Sequence, residues 1–218
     1  GSYIITEELP TGWYQSFPVL STGKTYYTET FVSDDVSDEN DFGNYQKATK
    51  SGYKWEDMDA DGMWDPGEPV IPGWTIYVDG TDGAGNTVDL ETTTDSNGFY
   101  SFDLVPGTYT ISEELPTGWF VSSPAGGEFV DEVFTSGGNY PNNNFGNYRK
   151  ATKSGIKWHD LNADGVKDAN EPVISGWTIY VDGTDGAGNT VDLEMVTDSN
   201  GEYEFKLVPG TYTITEEL

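Results

Sequence analysis

The run GWTIYVDGTDGAGNTVDLE stands at residues 73–91 and again, unchanged, at 176–194, while FGNY followed by KATKSG stands at 42–52 and at 145–155. Corresponding residues are 103 apart, as Asp57 and Asp160 are. That period is too long for a solenoid unit and matches a small self-contained domain, so the chain has to fold as successive copies of one compact unit. The basic stretches QKATKSG and RKATKSG mark where each copy starts. Residues 48–150 then form one complete repeat. Residues 1–47 are the C-terminal part of a preceding repeat, because YIITEELPTGW at 3–13 mirrors YTISEELPTGW at 109–119. Residues 151–218 are the N-terminal part of a following repeat and run as far as YTITEEL.

Within a repeat the apolar residues alternate, which is the signature of strands. In GWTIYVDG, Trp74, Ile76 and Val78 share one face and Thr75, Tyr77 and Asp79 the other. The Asn97-Gly98 pair between two alternating runs predicts a hairpin. DGTDGAGNTVD reads as a further hairpin loop, its Asp79, Asp82, Asn86 and Asp89 leaving a second ion site open as the less favoured alternative. No amphipathic helical pattern of useful length is present. About seven short strands per repeat predict an all-β chain of tandem immunoglobulin-like β-sandwich domains. Aromatic residues make up 14% of the chain, enough to fill such cores, and there is no cysteine, so any covalent brace must use other chemistry.

Each repeat also carries one acidic loop, DMDADGMWDPGE at 57–68 and DLNADGVKDANE at 160–171. Both satisfy D-x-[DN]-x-[DN]-G-x5-E, the twelve-residue Ca2+ loop. The first offers the side chains of Asp57, Asp59, Asp61, Asp65 and Glu68 and the carbonyl of Met63. The second offers Asp160, Asn162, Asp164, Asp168 and Glu171 and the carbonyl of Val166. Asn162 removes one charge, which predicts weaker binding there. A solvated acidic turn is the alternative, but carboxylates this close repel one another and raise their own pKa values without a cation. The flanking segments GYKW and GWTIYV are strands, whereas sensor loops join helices, so the ion is expected to stiffen the domain and not to signal.

A net charge of −28 leaves phosphates no counter-charge and excludes nucleic acid and anionic membrane surfaces as partners. No run is long and apolar enough to span a bilayer, and nothing resembles a signal peptide, so export and anchoring signals are expected outside this segment. The single histidine, His159, is replaced by Glu56 in the other copy, and there is neither a nucleophile elbow nor a thiol. The chain reads as not an enzyme.

The ordered set SGYKWEDMDADGMWDPGEPVIPGWTIYVDG, TTTDSNGFYSFDLVPGTYTISEELPTGW and NNFGNYRK resembles the B-type domains of serine-aspartate repeat surface adhesins, and more widely the collagen-adhesin B-type fold. The resemblance covers essentially the whole chain. It implies extracellular, cell-surface modules that stack in tandem as stalks and bind calcium between strands. It also implies an isopeptide crosslink between a first-strand lysine and a last-strand asparagine, assisted by a glutamate, with Lys54, Asn147 and Glu113 at the matching places. The strand parity of YTISEEL drives Glu113 inward with Ile111, where a lone carboxylate needs a partner. Partial sets stand at Lys157 with Glu216 and at Glu7 with Asn44. Against the crosslink, Ile156 and Trp158 have the opposite parity to Lys157, which would turn the lysine to solvent.

Three functions follow from these readings. The favoured one is a calcium-rigidified structural repeat of a stalk or filament, its partners being neighbouring repeats and, by head-to-tail strand donation, other copies. The others are a ligand-binding adhesin module and an accessory module of a secreted enzyme. Loops that bind ligand should diverge between copies, and the identity of 73–91 with 176–194 favours the structural reading.

Overall fold

A computed structural model of the protein describes residues 1–19 and 23–217, so Leu218, the last residue of the expected third segment, lies outside the described residues. Every regular element among them is a strand. The first segment contributes β1 (Ser2–Ile5), β2 (Trp13–Phe17), β3 (Tyr27–Thr30) and β4 (Gly43–Gln46), paired as β1 with β3 and β2 with β4. The middle segment contributes β5 (Ala48–Glu56), β6 (Thr75–Asp82), β7 (Thr87–Thr93), β8 (Phe99–Leu104), β9 (Gly107–Glu113), β10 (Trp119–Ser123), β11 (Glu128–Phe134), β12 (Asn139–Tyr140) and β13 (Phe145–Arg149). The last contributes β14 (Ala151–Ile156), β15 (Thr178–Asp185), β16 (Thr190–Val196), β17 (Glu202–Leu207) and β18 (Gly210–Glu216).

Residues 48–149 form two facing sheets. One runs β10-β13-β5-β12 with β8 on β5, and the other runs β11-β9-β6-β7. The alternation of the sequence supplies the core between them: Ile76, Val78 and Ile111 are wholly buried against Tyr100, Tyr109 and Phe145. Each such aliphatic side chain contributes on the order of 1.5–3 kcal/mol. This is the immunoglobulin-like sandwich that the strand pattern predicts. Residues 151–217 repeat the pairings β5–β8 and β7-β6-β9 in the same registers, so that Ile179 faces Glu216 as Ile76 faces Glu113. Their core is smaller, built on Ile179, Val181, Phe205 and Leu207.

Two sequence expectations are corrected here. The Asn97-Gly98 turn does not close a hairpin, because β7 and β8 lie in different sheets and the turn carries the chain from one to the other. It is held to β5: Lys54 N donates to Gly98 O at 2.8 Å, and Gly98, at φ 71°, lies against Val70. The parity argument that turned the lysine to solvent fails in the middle repeat because β5 is buried on both faces. Lys54 is 0% exposed on the core side and Trp55 is 2% exposed on the other. Trp55 is covered by Trp64 of the acidic loop, ring centroids 5.8 Å apart, and by Gly146, where a Cβ would lie 2.3 Å from the indole. Alternation predicts one solvent face only where one face is free.

Candidate functional site

The first acidic loop leaves β5 at Glu56 and returns to it: Glu56 N donates to Pro69 O at 2.8 Å, and Trp55 bridges Val70. The ends are thus pinned by strand-type contacts, with no helix on either side. The side chains that stay acceptor-only organise the loop's own backbone. Asp57 accepts from Ala60 N at 2.6 Å and Gly62 N at 2.8 Å, and Asp61 accepts from Met63 N at 2.7 Å. Glu68 reaches back across the loop, with Oε1 accepting from Met58 N at 2.7 Å and Oε2 from Asp65 N at 3.0 Å. Gly62, at φ 83°, makes the sharp turn that an L side chain resists.

Oxygens of Asp57, Asp59 and Asp61 lie within 4.8 Å of one another. Asp59 is pushed above the usual carboxylate range by lost hydration and then by the charges of Asp61 and Asp57. Gathered anionic oxygens with no donor among them suit a hard divalent cation and fit calcium. The structure brings these three together; the Glu68 oxygens are taken up by the Met58 and Asp65 amides, and Met63 and Asp65 lie on the segment between.

The second loop repeats the frame. Gly165 N donates to Asp160 at 2.8 Å, Val166 N to Asp164 at 2.8 Å, and Glu171 accepts from Leu161 N at 2.7 Å and Asp168 N at 3.1 Å. Asp160 is held below its ordinary value, first by the Gly165 amide. Asn162 differs from Asp59 in kind. Its Nδ2 donates to Asp164 at 3.0 Å and to Asp168 at 3.2 Å, so an amide N–H group bridges carboxylates where a cation would otherwise do so.

One strand away lies a buried ionisable cluster. Lys54 Nζ donates to Asn147 Oδ1 and to Phe145 O at 3.1 Å, and stands 3.2 Å from Glu113 Oε2. It also lies 4.7 Å over the Trp74 ring. Lys54 and Asn147 are 0% exposed and the Glu113 side chain 1%. Burial lowers Lys54 to about 8 against the opposing charge of Glu113, and raises Glu113 to about 7 against that of Lys54. The Glu113–Lys54 approach is an ion pair without the direction of a hydrogen bond. Neither Glu113 carboxylate oxygen accepts a hydrogen bond, and Asn147 Nδ2 and Trp74 Nε1 are likewise without an acceptor; the charge of Lys54 is the chief influence opposing the burial of Glu113. An amine, an amide carbon and a proton acceptor are therefore in contact inside an apolar shell.

The partial sets bring pairs of the same residue types together in more open surroundings. Lys157 Nζ lies 2.5 Å from Glu216 Oε2 and 4.6 Å over the Trp177 ring, with side chains 21% and 40% exposed. Asn44 Nδ2 donates to Glu7 Oε2 at 2.7 Å. A second buried lysine, Lys50, pairs with Glu132 of the opposite sheet and lies 4.7 Å over the Phe129 ring; burial lowers it, against the opposing charge of Glu132. Sequence reasoning missed it. The signal was available, since Ala48, Lys50, Gly52 and Lys54 share one face of β5.

The geometry defines a class: an immunoglobulin-like sandwich with an acidic loop at one end and a lysine-carboxyl-amide cluster beneath its first strand, followed by a segment that repeats its first five strands. The chain belongs to the SdrD B-like domain family, whose profile matches residues 48–145 and 155–217. It is 33% identical, over 98% of its length, to serine-aspartate repeat-containing protein F of Staphylococcus epidermidis. It is 31% identical, over 85% of its length, to serine-aspartate repeat-containing protein D of Staphylococcus aureus strain Newman. It spans only 13% and 14% of those relatives. Among solved structures, the Bacillus anthracis TIE protein aligns with TM-score 0.39 and 19% identity over 100% of this chain and 36% of its own. The shaft pilin SpaA of Lactobacillus rhamnosus GG aligns with TM-score 0.35 and 14% identity over 78% of this chain and 88% of its own.

Proposed function

We propose that the chain is a calcium-stiffened structural repeat of an extracellular, cell-surface stalk, partitioned at residues 1–47, 48–150 and 151–218 into parts of three successive modules. The observation that carries this reading is the convergence of Asp57, Asp59 and Asp61 in a loop pinned at both ends to strands. An ion held by these with Asp65, Glu68 and the Met63 carbonyl ties together the parts of a loop pinned at both ends to β5 and has no helix pair to open. Asp160, Asn162, Asp164, Asp168, Glu171 and the Val166 carbonyl form the weaker site. Titration of Ca2+ into the whole chain is expected to give two binding events, the weaker one strengthened by Asn162→Asp. No heat at any concentration overturns the calcium assignment.

The same reading includes a covalent brace. Lys54, as the neutral amine, attacks the Asn147 side-chain carbon, and Glu113 takes the lysine proton and returns it to the departing nitrogen. One C–N bond forms, one breaks, and one ammonia leaves. Burial lowers Lys54 and raises Glu113, which brings their proton affinities together and makes the proton transfer that frees the amine cheaper than in water.

The partial sets support a finer proposal about partners. Residues 1–47 carry the counterparts of β9, β10, β11 and β13, and residues 151–217 those of β5 to β9. In an isolated chain of this span, one copy's first segment is expected to cover another's last, placing Asn44 beside Lys157 and Glu216. A single monomeric species at every concentration in sedimentation sinks strand donation and leaves the stalk assignment intact.

A further inference from the structure

The tip of the β15–β16 hairpin and the tip of the β6–β7 hairpin are identical in sequence, yet their surroundings differ. Gly83 at the first tip has one neighbour, the Pro106 carbonyl, at 3.2 Å from the place of a Cβ. Gly186 at the second is pressed onto the acidic loop of the preceding repeat: a Cβ there would lie 1.6 Å from the Asp59 carbonyl oxygen and 3.0 Å from the carbonyl carbon of Ala60. Neither glycine has a left-handed φ, so the backbone does not demand glycine at either place. Only the contact does.

The loop side records the same contact. Ala60, at φ 62°, is 5% exposed, and its counterpart Ala163, at φ 59°, is open to solvent. The two loops share one local frame, and the first is covered from two sides, by the hairpin tip and by Val121, Ser122 and Tyr148 of its own repeat, neither of which has a counterpart over the second among the described residues. The flanks of the junction also recur. Tyr148 at the end of β13 is shifted upward by lost hydration and then by Asp185 of the hairpin. Tyr212 is shifted upward by lost hydration and then by Asp185 and Tyr148, and its counterpart one period earlier, Tyr109, by lost hydration and then by Asp82 and Tyr45.

We propose that the hairpin tip TDGAGNT is a docking element that seats on the acidic loop of the repeat before it, and that Gly186 is the close-contact residue setting the angle between them. The inference rests on the reading of 48–150 and 151–218 as successive stalk modules. It assigns the conserved length of the hairpin within this chain to the joint and not to a ligand. It also gives the acidic loop a second task, because Asp59 and Ala60, which receive Gly186, lie among the residues that would hold the ion. A joint of this kind departs from the ordinary expectation that small interfaces leave neighbouring domains free to move.

Nuclear spin relaxation of backbone amides in the whole chain tests it. In the unsubstituted protein the amides of 48–149 and of 151–217 are expected to share one rotational correlation time. Gly186→Val is expected to separate them, with the 151–217 amides tumbling faster, whereas Gly83→Val, the same change in the same sequence, leaves them together. Separate tumbling in the unsubstituted chain, or common tumbling after Gly186→Val, overturns the proposal. If Gly186→Val unfolds its own segment, Ala60→Asn makes the test from the loop side, because asparagine tolerates positive φ while adding bulk under the hairpin. Ala163→Asn is its control. The calcium reading fails separately, on an absence of binding heat, and a backbone contact at Gly186 can outlive that failure.

Discussion

Chelation of divalent cations is expected to lower the melting temperature of the chain by roughly 10–30 °C. A ligand present at about 100 to 1,000 times its dissociation constant stabilises the native state by about 2.7–4.1 kcal/mol, and about 1 kcal/mol moves a domain of this size by roughly 4–8 °C. The charge balance acts in the same direction, since a chain at −28 loses self-repulsion when cations bind. Asp57→Asn is expected to abolish the response of the middle repeat, because Asp57 both faces the cluster and holds the Ala60 and Gly62 amides. The loop with Asn162 is expected to empty first as calcium falls. A melting temperature indifferent to chelator removes the structural ion, whatever else binds at the loop.

The intact mass of the chain is expected to fall short of its sequence mass by one ammonia, with the missing mass mapping to a branched peptide joining Lys54 to Asn147. These residues stand 93 apart in sequence, and by analogy with other crosslinks a loop of that size contributes on the order of 4–5 kcal/mol. Glu113→Gln is expected to restore the full mass by removing the proton acceptor while keeping the shape of the side chain. Lys54→Met also restores it, and costs a further 3–5 kcal/mol or so if Glu113 is left charged and unpaired in the core. A wild-type mass equal to that of the sequence excludes the bond. Lys54, Glu113 and Asn147 would then be an ionic cluster whose cost of burial the fold carries.

Much of this was legible from residues alone because two strong periodicities coincide. A period of two gave Trp74, Ile76 and Val78 their common face, and identical runs recurring 103 residues apart predict a tandem arrangement. Glu113 was placed inward by the same alternation, through Ile111. The reasoning failed where tertiary contacts cover what alternation leaves open. Trp64 and Gly146 bury the outer face of β5, so Lys54 and Trp55 are both inside and their relative parity says nothing about solvent. Asn97 and Gly98 form a turn, as their chemistry requires, but which strands flank a turn depends on sheet membership and not on the turn. Lys50 was passed over because its partner, Glu132, lies far along the chain on the opposite sheet. The joint at Gly186 was invisible in principle, since two identical stretches cannot announce that only one of them is covered.

The pairing of β5 with β13 has a consequence for a chain that is pulled. These are the first and last long strands of the middle repeat, and they run parallel as direct neighbours, with Phe145 beside Lys54 and Asn147 beside Glu56. Tension along a tandem array enters this repeat at the start of β5 and leaves at the end of β13, which lie at opposite ends of the pair. The ladder between them is therefore loaded in shear, so its hydrogen bonds must yield together and cannot be peeled apart one by one. Lys54 and Asn147 sit one on each of those two strands, and the acidic loop begins where β5 ends. A bond between the first two would carry the load straight across the module and leave the rest of the sandwich unstressed.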